Sequence, residues 1–253
     1  VAEAVHNEYP GTHHVEVLKY LLNAGAKIDR SIIPSDCVSE FLRGVVMLSE
    51  INTWTIATVG PQNFQTKWYG GQARPEEVVY QIMEGTISPD NVPTILMDLL
   101  VDMDVSNGGR NFTAYPEGSP NHPSWPAMHS AASAGSMWIP VVMDLTPAQL
   151  CQVKLVDYGV SYGRTVAGVH YPSDNIVGLN LGQEIVARKL PRYLFNQYGG
   201  DIVTIREKVD SLRFDWNDFL NDPVCFPPTG GTSNSNSNTG RRHRRNLREK
   251  QTN

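Results

Sequence analysis

Five side chains that could bind an oxyanion are spread over three segments of the chain. They are three cations and two histidines: Lys67, Arg74, His129, Arg164 and His170. Arginine offers paired donors to tetrahedral oxyanions, and lysine adds a point charge. Histidine can exchange a proton near neutral pH, and its ring nitrogen can act as a ligand or a nucleophile. Together these residue types predict a binding site for a phosphate-like anion.

Lys67 and Arg74 form the first segment. They are seven residues apart, which is about two turns of a helix and would place both on one face. Gly70 and Gly71 weaken a helix between them, and Pro75 biases Arg74 away from helical backbone. Taken alone, such a pair is more often two solvated surface cations.

The second segment is the run from His122 to His129, His-Pro-Ser-Trp-Pro-Ala-Met-His, which leads into a stretch of small residues. The start of a helix leaves backbone amides without intrahelical partners at the positive end of its dipole, which suits an anion. His129 lies at this start. Taken alone, such a histidine is more often a cap or a surface residue.

The third segment contains Arg164 and His170, six residues apart. On a straight helix they would point about 240° apart, so they converge only if the chain bends. Gly168 and Pro172 can supply that bend. Pro172 suits the first helical position, which places Asp174 in the first turn. Asp174 could then accept the Nδ1 proton of His170 and leave Nε2 for a ligand or for nucleophilic attack.

Helical periodicity predicts the scaffold that must position these residues. Apolar residues recur three and four positions apart at Val15, Leu18, Leu21 and Leu22, and again at Val38, Leu42, Val45 and Val46. Ser35 and Asp36 can cap the second of these helices. Further helices are predicted at about 76–84, 93–103, 129–143, 146–161, 173–188 and 202–220.

No repeated valine-rich alternation indicates a sheet. The predicted fold is therefore all-α, a multi-helix bundle in which long loops carry the active site. The proline-dense run from Pro116 to Pro126 is one such loop.

Composition predicts one globular body followed by a polar tail. The chain has 253 residues, of which 40% are hydrophobic, so a body over residues 1–226 can form a core. Residues 227–253, rich in Ser, Asn and Gly and then in Arg, are predicted to be disordered. The net charge is -5, and the tail's six cations and one acid leave the body at about -10, which argues against nucleic acid as a partner.

Membrane insertion and a cysteine-based metal site are not expected. The chain lacks an uninterrupted apolar run of about 18 residues. Cys37, Cys151 and Cys225 are far apart and form no CxxC motif, so two could pair or all could stay free. The sequon at 111–113 and the start at Val1 would fit a secreted or cell-surface protein.

In order and spacing, the three segments resemble the signature of the superfamily that joins type 2 phosphatidic acid phosphatases with vanadium haloperoxidases. That signature is K-x6-R-P, then P-S-G-H, then S-R-x5-H-x3-D. It is matched here by Lys67 to Arg74-Pro75, by Pro126-Ala127-Met128-His129, and by Gly163-Arg164 to His170 to Asp174. The residues around these motifs resemble those of the algal and bacterial bromoperoxidase branch. The clearest of them is His122, a histidine that the phosphatases generally lack.

The resemblance implies a vanadate-dependent haloperoxidase. Hydrogen peroxide and bromide or iodide would be its substrates, and the hypohalous acid it releases would halogenate a small organic acceptor. Vanadate, the implied cofactor, would act as a Lewis acid. The family's proteins are commonly longer, so an N-terminal part is expected to be missing, and homo-oligomerisation stays open.

The resemblance also implies a role for each matched residue. His170 would bind vanadium, and Asp174 would orient it. His129 would be the acid-base group, and His122 would lie beside the vanadate. The donors to the vanadate oxygens would be Lys67, Arg74, Arg164 and the backbone amide of Met128.

Three positions depart from the signature, and two alternative functions remain. Gly163 and Ala127 stand where the family has serine, and Met128 stands where it has glycine. Losing the donor at Ala127 should cost about 1–3 kcal/mol of oxyanion binding. One alternative is a phosphatase in which His170 becomes a phosphohistidine. The other is a degenerate member that binds an oxyanion without catalysis.

Overall fold

Most of the predicted helices are present, and the described part of the chain contains almost no strand. The computed structural model describes residues 10–34, 41–102 and 118–226. Its helices are α1 (Pro10–Asn23), α2 (Phe41–Gly70), α3 (Pro75–Met83), α4 (Thr94–Asp102), α5 (Met128–Ala132), α6 (Gly135–Val142), α7 (Pro147–Val166), α8 (Pro172–Tyr198) and α9 (Ile202–Ser211). The all-α prediction is confirmed for these ranges.

Short elements complete the described part of the chain. Pro89–Asn91 and Trp216–Asn221 form 3₁₀ turns. Strands β1 (Lys27–Ile28) and β2 (Met143–Asp144) pair antiparallel, with Lys27 opposite Asp144. This ladder ties the turn after α1 to the end of α6.

Helix α8 lies at the centre, in contact with α2, α5, α6, α7 and α9. Two glycines on α8 let α5 approach its backbone directly. A Cβ atom at Gly182 would lie 2.0 Å from the carbonyl oxygen of Ala131, and one at Gly178 would lie 2.5 Å from that of Ala127. Any larger residue at either position would push α5 away, and α5 carries His129.

The main apolar core lies beside this contact, between α1, α2, α6, α8 and α9. Among its fully buried side chains are Leu21, Leu48, Trp138 and Leu190. Burial of each such side chain contributes about 1.5–3 kcal/mol relative to leaving it in water. The core fixes α2 and α8, and these helices in turn position the site.

The continuous helix predicted for 129–143 is wrong, because the chain breaks between α5 and α6. Ser133 has φ -80° and ψ 64°, outside the helical region. Its hydroxyl donates to Asp157 Oδ1 at 2.9 Å, and the Ser136 amide donates to Asp157 Oδ2 at 2.7 Å. A buried carboxylate of α7 thus serves the start of α6, and this tertiary contact leaves no local sequence signal.

Other predicted boundaries differ at the helix ends. The apolar pattern of the second predicted helix ends at Val46, whereas α2 continues through Pro61 to Gly70. Helices α7 and α8 extend past 161 and 188, and α9 stops at Ser211 instead of residue 220. The predicted cap at 35–36, the sequon, Cys37 and the polar tail lie outside the described residues.

The C-terminal described segment is fastened to α7. Of the two open alternatives for the cysteines, pairing is observed: Cys151 is bonded to Cys225. Nearby, Lys154 forms an ion pair with Asp222, and both side chains are buried. None of the helices within the described ranges has the length and apolar character that a membrane crossing requires.

Candidate active site

Lys67 lies in the last turn of α2 and is fully buried. Its Nζ donates to the carbonyl oxygens of Pro123 and Ser124, both at 2.8 Å. Burial first, and then the neighbouring charges of Arg74 and Arg164, lower the pKa of Lys67 to about 7. The ammonium group therefore lies in a cation-rich, poorly solvated position that a bound anion would stabilise.

Arg74 reaches the same place by a different route from the one predicted. The two cations do not share a helix face, because α2 ends at Gly70 and Gly71 takes φ +61°. Arg74 is the extended residue that precedes α3, with φ -79° and ψ 157°. The glycine pair and Pro75 end the helix instead of merely weakening it. The turn brings Arg74 inward, where it is buried.

The guanidinium of Arg74 joins the second and third segments. Its Nε donates to the His122 carbonyl oxygen at 2.9 Å, and Nη1 donates to that of Val169 at 2.7 Å. Nη1 also lies 3.3 Å from His170 Nε2. One arginine therefore fixes the backbone on both sides of the site.

The His122 ring is half-buried and neutral. Arg74 Nη2 lies 3.1 Å from its Nδ1, and Phe64 meets its ring edge-on at a centroid distance of 5.1 Å. Burial first, and then the charges of Arg74 and Lys67, lower the pKa of His122 to about 4. Its Nδ1 also lies 3.3 Å from the Pro123 carbonyl oxygen. A guanidinium can only donate and a carbonyl can only accept, so the Arg74 contact favours a proton on Nε2 and the Pro123 contact favours one on Nδ1.

His170 and Asp174 lie next to each other at the start of α8, as the sequence predicts. His170 Nδ1 is 3.2 Å from Asp174 Oδ2, and both side chains are buried. Burial, reinforced by Arg74, Lys67 and Arg164, holds the pKa of His170 below its usual range. The neutral ring can then donate Nδ1–H to Asp174 and present Nε2 as a base or ligand.

Asp174 has further donors that hold it as a carboxylate. The Ser124 hydroxyl donates to Oδ2, the Tyr171 amide donates to Oδ2 at 3.1 Å, and Gln72 Nε2 lies 3.4 Å from Oδ1. Hydrogen bonds from His170, Ser124 and Tyr171 outweigh burial and keep the pKa of Asp174 below its usual value. The aspartate is fixed from three segments of the chain.

Arg164 lies in the last turn of α7 and is buried. The predicted bend is present: Gly168 has φ +75°, and α8 begins at Pro172. The charge of Arg164 contributes to lowering the pKa of Lys67, His122 and His170. Arg164 therefore belongs to the same electrostatic cluster as Arg74 and Lys67.

Helix α5 carries His129 and is joined to the cluster through its backbone. The Ala127 amide donates to the Asp174 carbonyl oxygen at 3.0 Å. His129 follows as the second residue of α5 and is half-buried. The Met128 methyl group lies against α2, 3.3 Å from where a Gly60 Cβ would be. Ala127 is fully buried and has no side-chain donor to offer.

Sequence reasoning missed several polar residues that brace the site. Ser124 lies within 3.4 Å of His170 Nδ1 in addition to its bond with Asp174. Asn175 accepts from Ser130 Oγ at 2.9 Å and donates to Thr165 Oγ1 at 2.7 Å, linking α5, α7 and α8. Ser124 could have been noticed from its place two residues after His122. Asn175 gave no signal, because its partners are distant in sequence.

Comparison with known proteins agrees with this geometry. The family model described as the PAP2 superfamily matches residues 46–188, more than half of the 253-residue chain. The chain belongs to the PAP2 superfamily. Neither the curated proteins nor the solved structures that were searched gave a match.

The region that matches the PAP2 superfamily contains every residue of the cluster, from Lys67 to Asp174. The cluster contains three buried basic side chains, one buried carboxylate, and the imidazoles of His122 and His170, whose pKa values are lowered. Basic groups therefore outnumber acidic groups in a poorly solvated place. Such a site favours an oxyanion with more than one negative charge. Phosphatases and haloperoxidases of the superfamily both require such an anion, so the site supports an enzyme of one of these classes.

Proposed function

We propose that this protein is a vanadate-dependent haloperoxidase that oxidises bromide or iodide with hydrogen peroxide. The observation that most supports this proposal is the imidazole of His122 next to the buried cations. Arg74 Nη2 lies 3.1 Å from its Nδ1. The resemblance noted from the sequence implies that phosphatases of this superfamily generally lack a histidine at this position. The halogenated product would come from a small organic acceptor.

The residues of the cluster fit vanadate. Lys67, with its pKa lowered to about 7, would regain full charge next to a bound oxyanion. Lys67, Arg74, Arg164 and the Met128 amide would bind the oxygens, and His170 Nε2 would bind the metal. When bound, vanadate supplies a Lewis acid that activates peroxide without a change of oxidation state.

The protein's own groups do the remaining work. Asp174 orients His170 through Nδ1, at 3.2 Å, so that Nε2 points away from the carboxylate. His129 would accept a proton from incoming peroxide and return it to a leaving oxygen. In the tautomer that the Arg74 contact favours, neutral His122 would donate a hydrogen bond from Nε2 toward the halide. Burial of the cations keeps these interactions strong.

A halogenation assay tests this proposal. Phosphate-free protein is incubated with and without orthovanadate and then given peroxide, monochlorodimedone, and iodide, bromide or chloride in turn. We expect turnover with iodide and bromide only after vanadate is added. His170→Ala should abolish it, whereas Glu207→Gln on the exposed side of α9 should not change it. Turnover that ignores vanadate, or none with any halide, would overturn the proposal.

A phosphatase is the second candidate, and the His170–Asp174 pair is the observation that favours it. A histidine that donates Nδ1–H to a carboxylate is also arranged to attack phosphorus through Nε2. His129 would then protonate the leaving alcohol. Hydrolysis of p-nitrophenyl phosphate, inhibited by vanadate and lost in His170→Ala, would establish this candidate if no halide is oxidised.

The superfamily also allows a member that binds an oxyanion without catalysis, and Ala127 and Met128 are the departures that motivate it. Calorimetry with orthovanadate and with phosphate separates this case from both enzymes. Binding of either anion without halogenation and without phosphate-ester hydrolysis would assign this role.

A further inference from the structure

A cavity of about 530 Å³ opens on the outer side of Arg74 and His122. Its volume lies in the range of sites that bind small organic molecules. The turn between α2 and α3, the first two turns of α3 and residues 119–123 form its walls. The cavity therefore shares Gln72, Arg74 and His122 with the candidate active site, and Pro123, whose carbonyl oxygen accepts from Lys67, also lines it.

Aromatic side chains form part of the wall and remain open to a ligand. Trp68 is 64% exposed and Tyr80 is 45% exposed, and both line the cavity. Trp and Tyr side chains are enriched at binding interfaces, because each combines a large apolar ring with a polar group. The ring face also attracts organic cations.

Two carboxylates complete the outer wall. Glu76 and Glu77 occupy the first turn of α3 and line the cavity. The Ser119 amide donates a hydrogen bond to Glu76 Oε2 at 2.6 Å, which fixes residue 119 on the other side of the cavity. Glu77 is exposed, and its charge is felt by Tyr171, whose pKa it helps to raise after burial and Asp174. The lining also includes Arg74, but its guanidinium is already engaged by the His122 and Val169 carbonyl oxygens and by the His122 ring. The lining charge most open to a ligand is therefore that of Glu77, which favours a cationic ligand.

We propose that this cavity binds the organic acceptor of the reaction, and that it selects aromatic molecules bearing an ammonium group. The ring would lie against Trp68 and the ammonium would lie near Glu77. Halogenation of the bound acceptor rests on the proposed haloperoxidase function, whereas binding of the acceptor in the cavity does not. The inference deepens that function by naming a class of acceptor.

The position of the cavity suits this role. His122 belongs to both sites, so hypohalous acid released beside it would meet a bound ring before it diffuses away. At the ring a carbon–halogen bond forms and the oxygen–halogen bond breaks. The displaced ring proton combines with the hydroxide to give water. No oxidant other than the hypohalous acid is required.

A matched pair of phenols tests the inference. Tyramine carries an ammonium group and 4-hydroxyphenylacetate carries a carboxylate, on rings of similar size. Calorimetry without peroxide, halide or vanadate measures binding alone. We expect tyramine to bind about tenfold more tightly, given the cation–π and carboxylate contacts. Glu77→Gln and Trp68→Ala should each weaken tyramine several-fold, Trp68→Phe should retain much of the affinity, and Glu207→Gln should change nothing.

The halogenation rates of the two phenols provide the second readout. With vanadate, peroxide and bromide, tyramine should be brominated faster than its anionic counterpart, and Glu77→Gln should remove the difference. Equal binding of the two phenols, or tighter binding of the anion, would overturn the inference. Tyramine binding without any halogenation would instead overturn the haloperoxidase proposal and leave the cation preference of the cavity standing.

Discussion

Arg74 contacts His122 twice, through Nε on its carbonyl oxygen at 2.9 Å and through Nη2 on its Nδ1 at 3.1 Å. The two contacts fix both the backbone and the ring of the histidine. They also oppose protonation, since a cation lies against the nitrogen that would accept the proton. The ring of His122 is therefore fixed in place, and its pKa is held at about 4 by burial and by the charges of Arg74 and Lys67.

Replacement of His122 tests whether this ring serves the halide step. In His122→Ala, bromide turnover should fall by about 10²-fold or more, the usual size of a lost proton-transfer or donor group. Vanadate affinity should change little, because Arg74, Lys67 and Arg164 remain. Steady-state kinetics with bromide and calorimetry with vanadate check the two halves. An unchanged bromide rate would show that His122 is only structural.

Ser124 tests how far Asp174 depends on its hydroxyl donor. In Ser124→Ala the carboxylate loses one charged hydrogen bond, worth about 1.5–3 kcal/mol. We expect turnover to fall and its acid limb to move to higher pH, because the pKa of Asp174 rises when a donor is removed. Ser124→Thr should restore part of the profile. Ser211→Ala, on α9, is the control for a serine outside the site, and an unaltered pH profile for Ser124→Ala would contradict the assignment.

The buried ammonium of Lys67 makes the site pH-dependent. Its pKa falls from 10.5 to about 7 on folding. Between these values the unfolded chain carries a proton that the folded chain has lost, so the stability contributed by Lys67 rises with pH across that window. A bound oxyanion raises the folded pKa again and removes this dependence.

Two measurements check this linkage. Binding of vanadate or phosphate at about pH 8 should take up a proton, detected by calorimetry in buffers of different ionisation enthalpy. Thermal unfolding without oxyanion should show a midpoint that rises with pH in the parent protein more than in Lys67→Met. Anion binding without proton uptake would mean that Lys67 keeps its charge in the empty site.

The sequence predicts that Arg164, His170 and Asp174 converge, because this part of the signature is a short linear motif. Arg164, His170 and Asp174 are close along the chain, and Gly168 and Pro172 have local conformational preferences that bend it. Local preference is what sequence encodes most directly. The geometry of this third segment followed from it.

Long-range partners account for what the sequence does not predict. The spacing of Lys67 and Arg74 predicts a shared helix face, but Gly71 and Pro75 replace the helix by a turn. The break after Ala132 depends on Asp157, more than 20 residues away in the chain. Neither the turn nor the break is marked by a periodic pattern in the sequence, so both become visible only in the folded structure.

Ala127 offers a gain-of-function test. Restoring the serine of the superfamily motif in Ala127→Ser adds a donor where the site has none from this side chain. Vanadate or phosphate should bind more tightly by about 1–3 kcal/mol. Without the anion, thermal stability should fall slightly, since a buried hydroxyl would lack a partner. Ala24→Ser, in an exposed turn, is the control, and unchanged affinity would mean that the serine cannot reach the oxygens.

The contact between Gly182 and Ala131 tests whether helix packing positions His129. In Gly182→Ala the new Cβ would lie 2.0 Å from the Ala131 carbonyl oxygen, so α5 and α8 must separate. Overpacking of this kind costs about 1–3 kcal/mol. Gly159→Ala, on α7, is the matched control, because its Cβ meets nothing within 4 Å and alanine favours a helix over glycine by about 1 kcal/mol. Urea unfolding should show loss of stability for the first variant and gain for the second. If α5 positions His129, turnover in Gly182→Ala should fall at temperatures where the variant is still folded, whereas full activity would show that the acid-base group tolerates displacement of its helix.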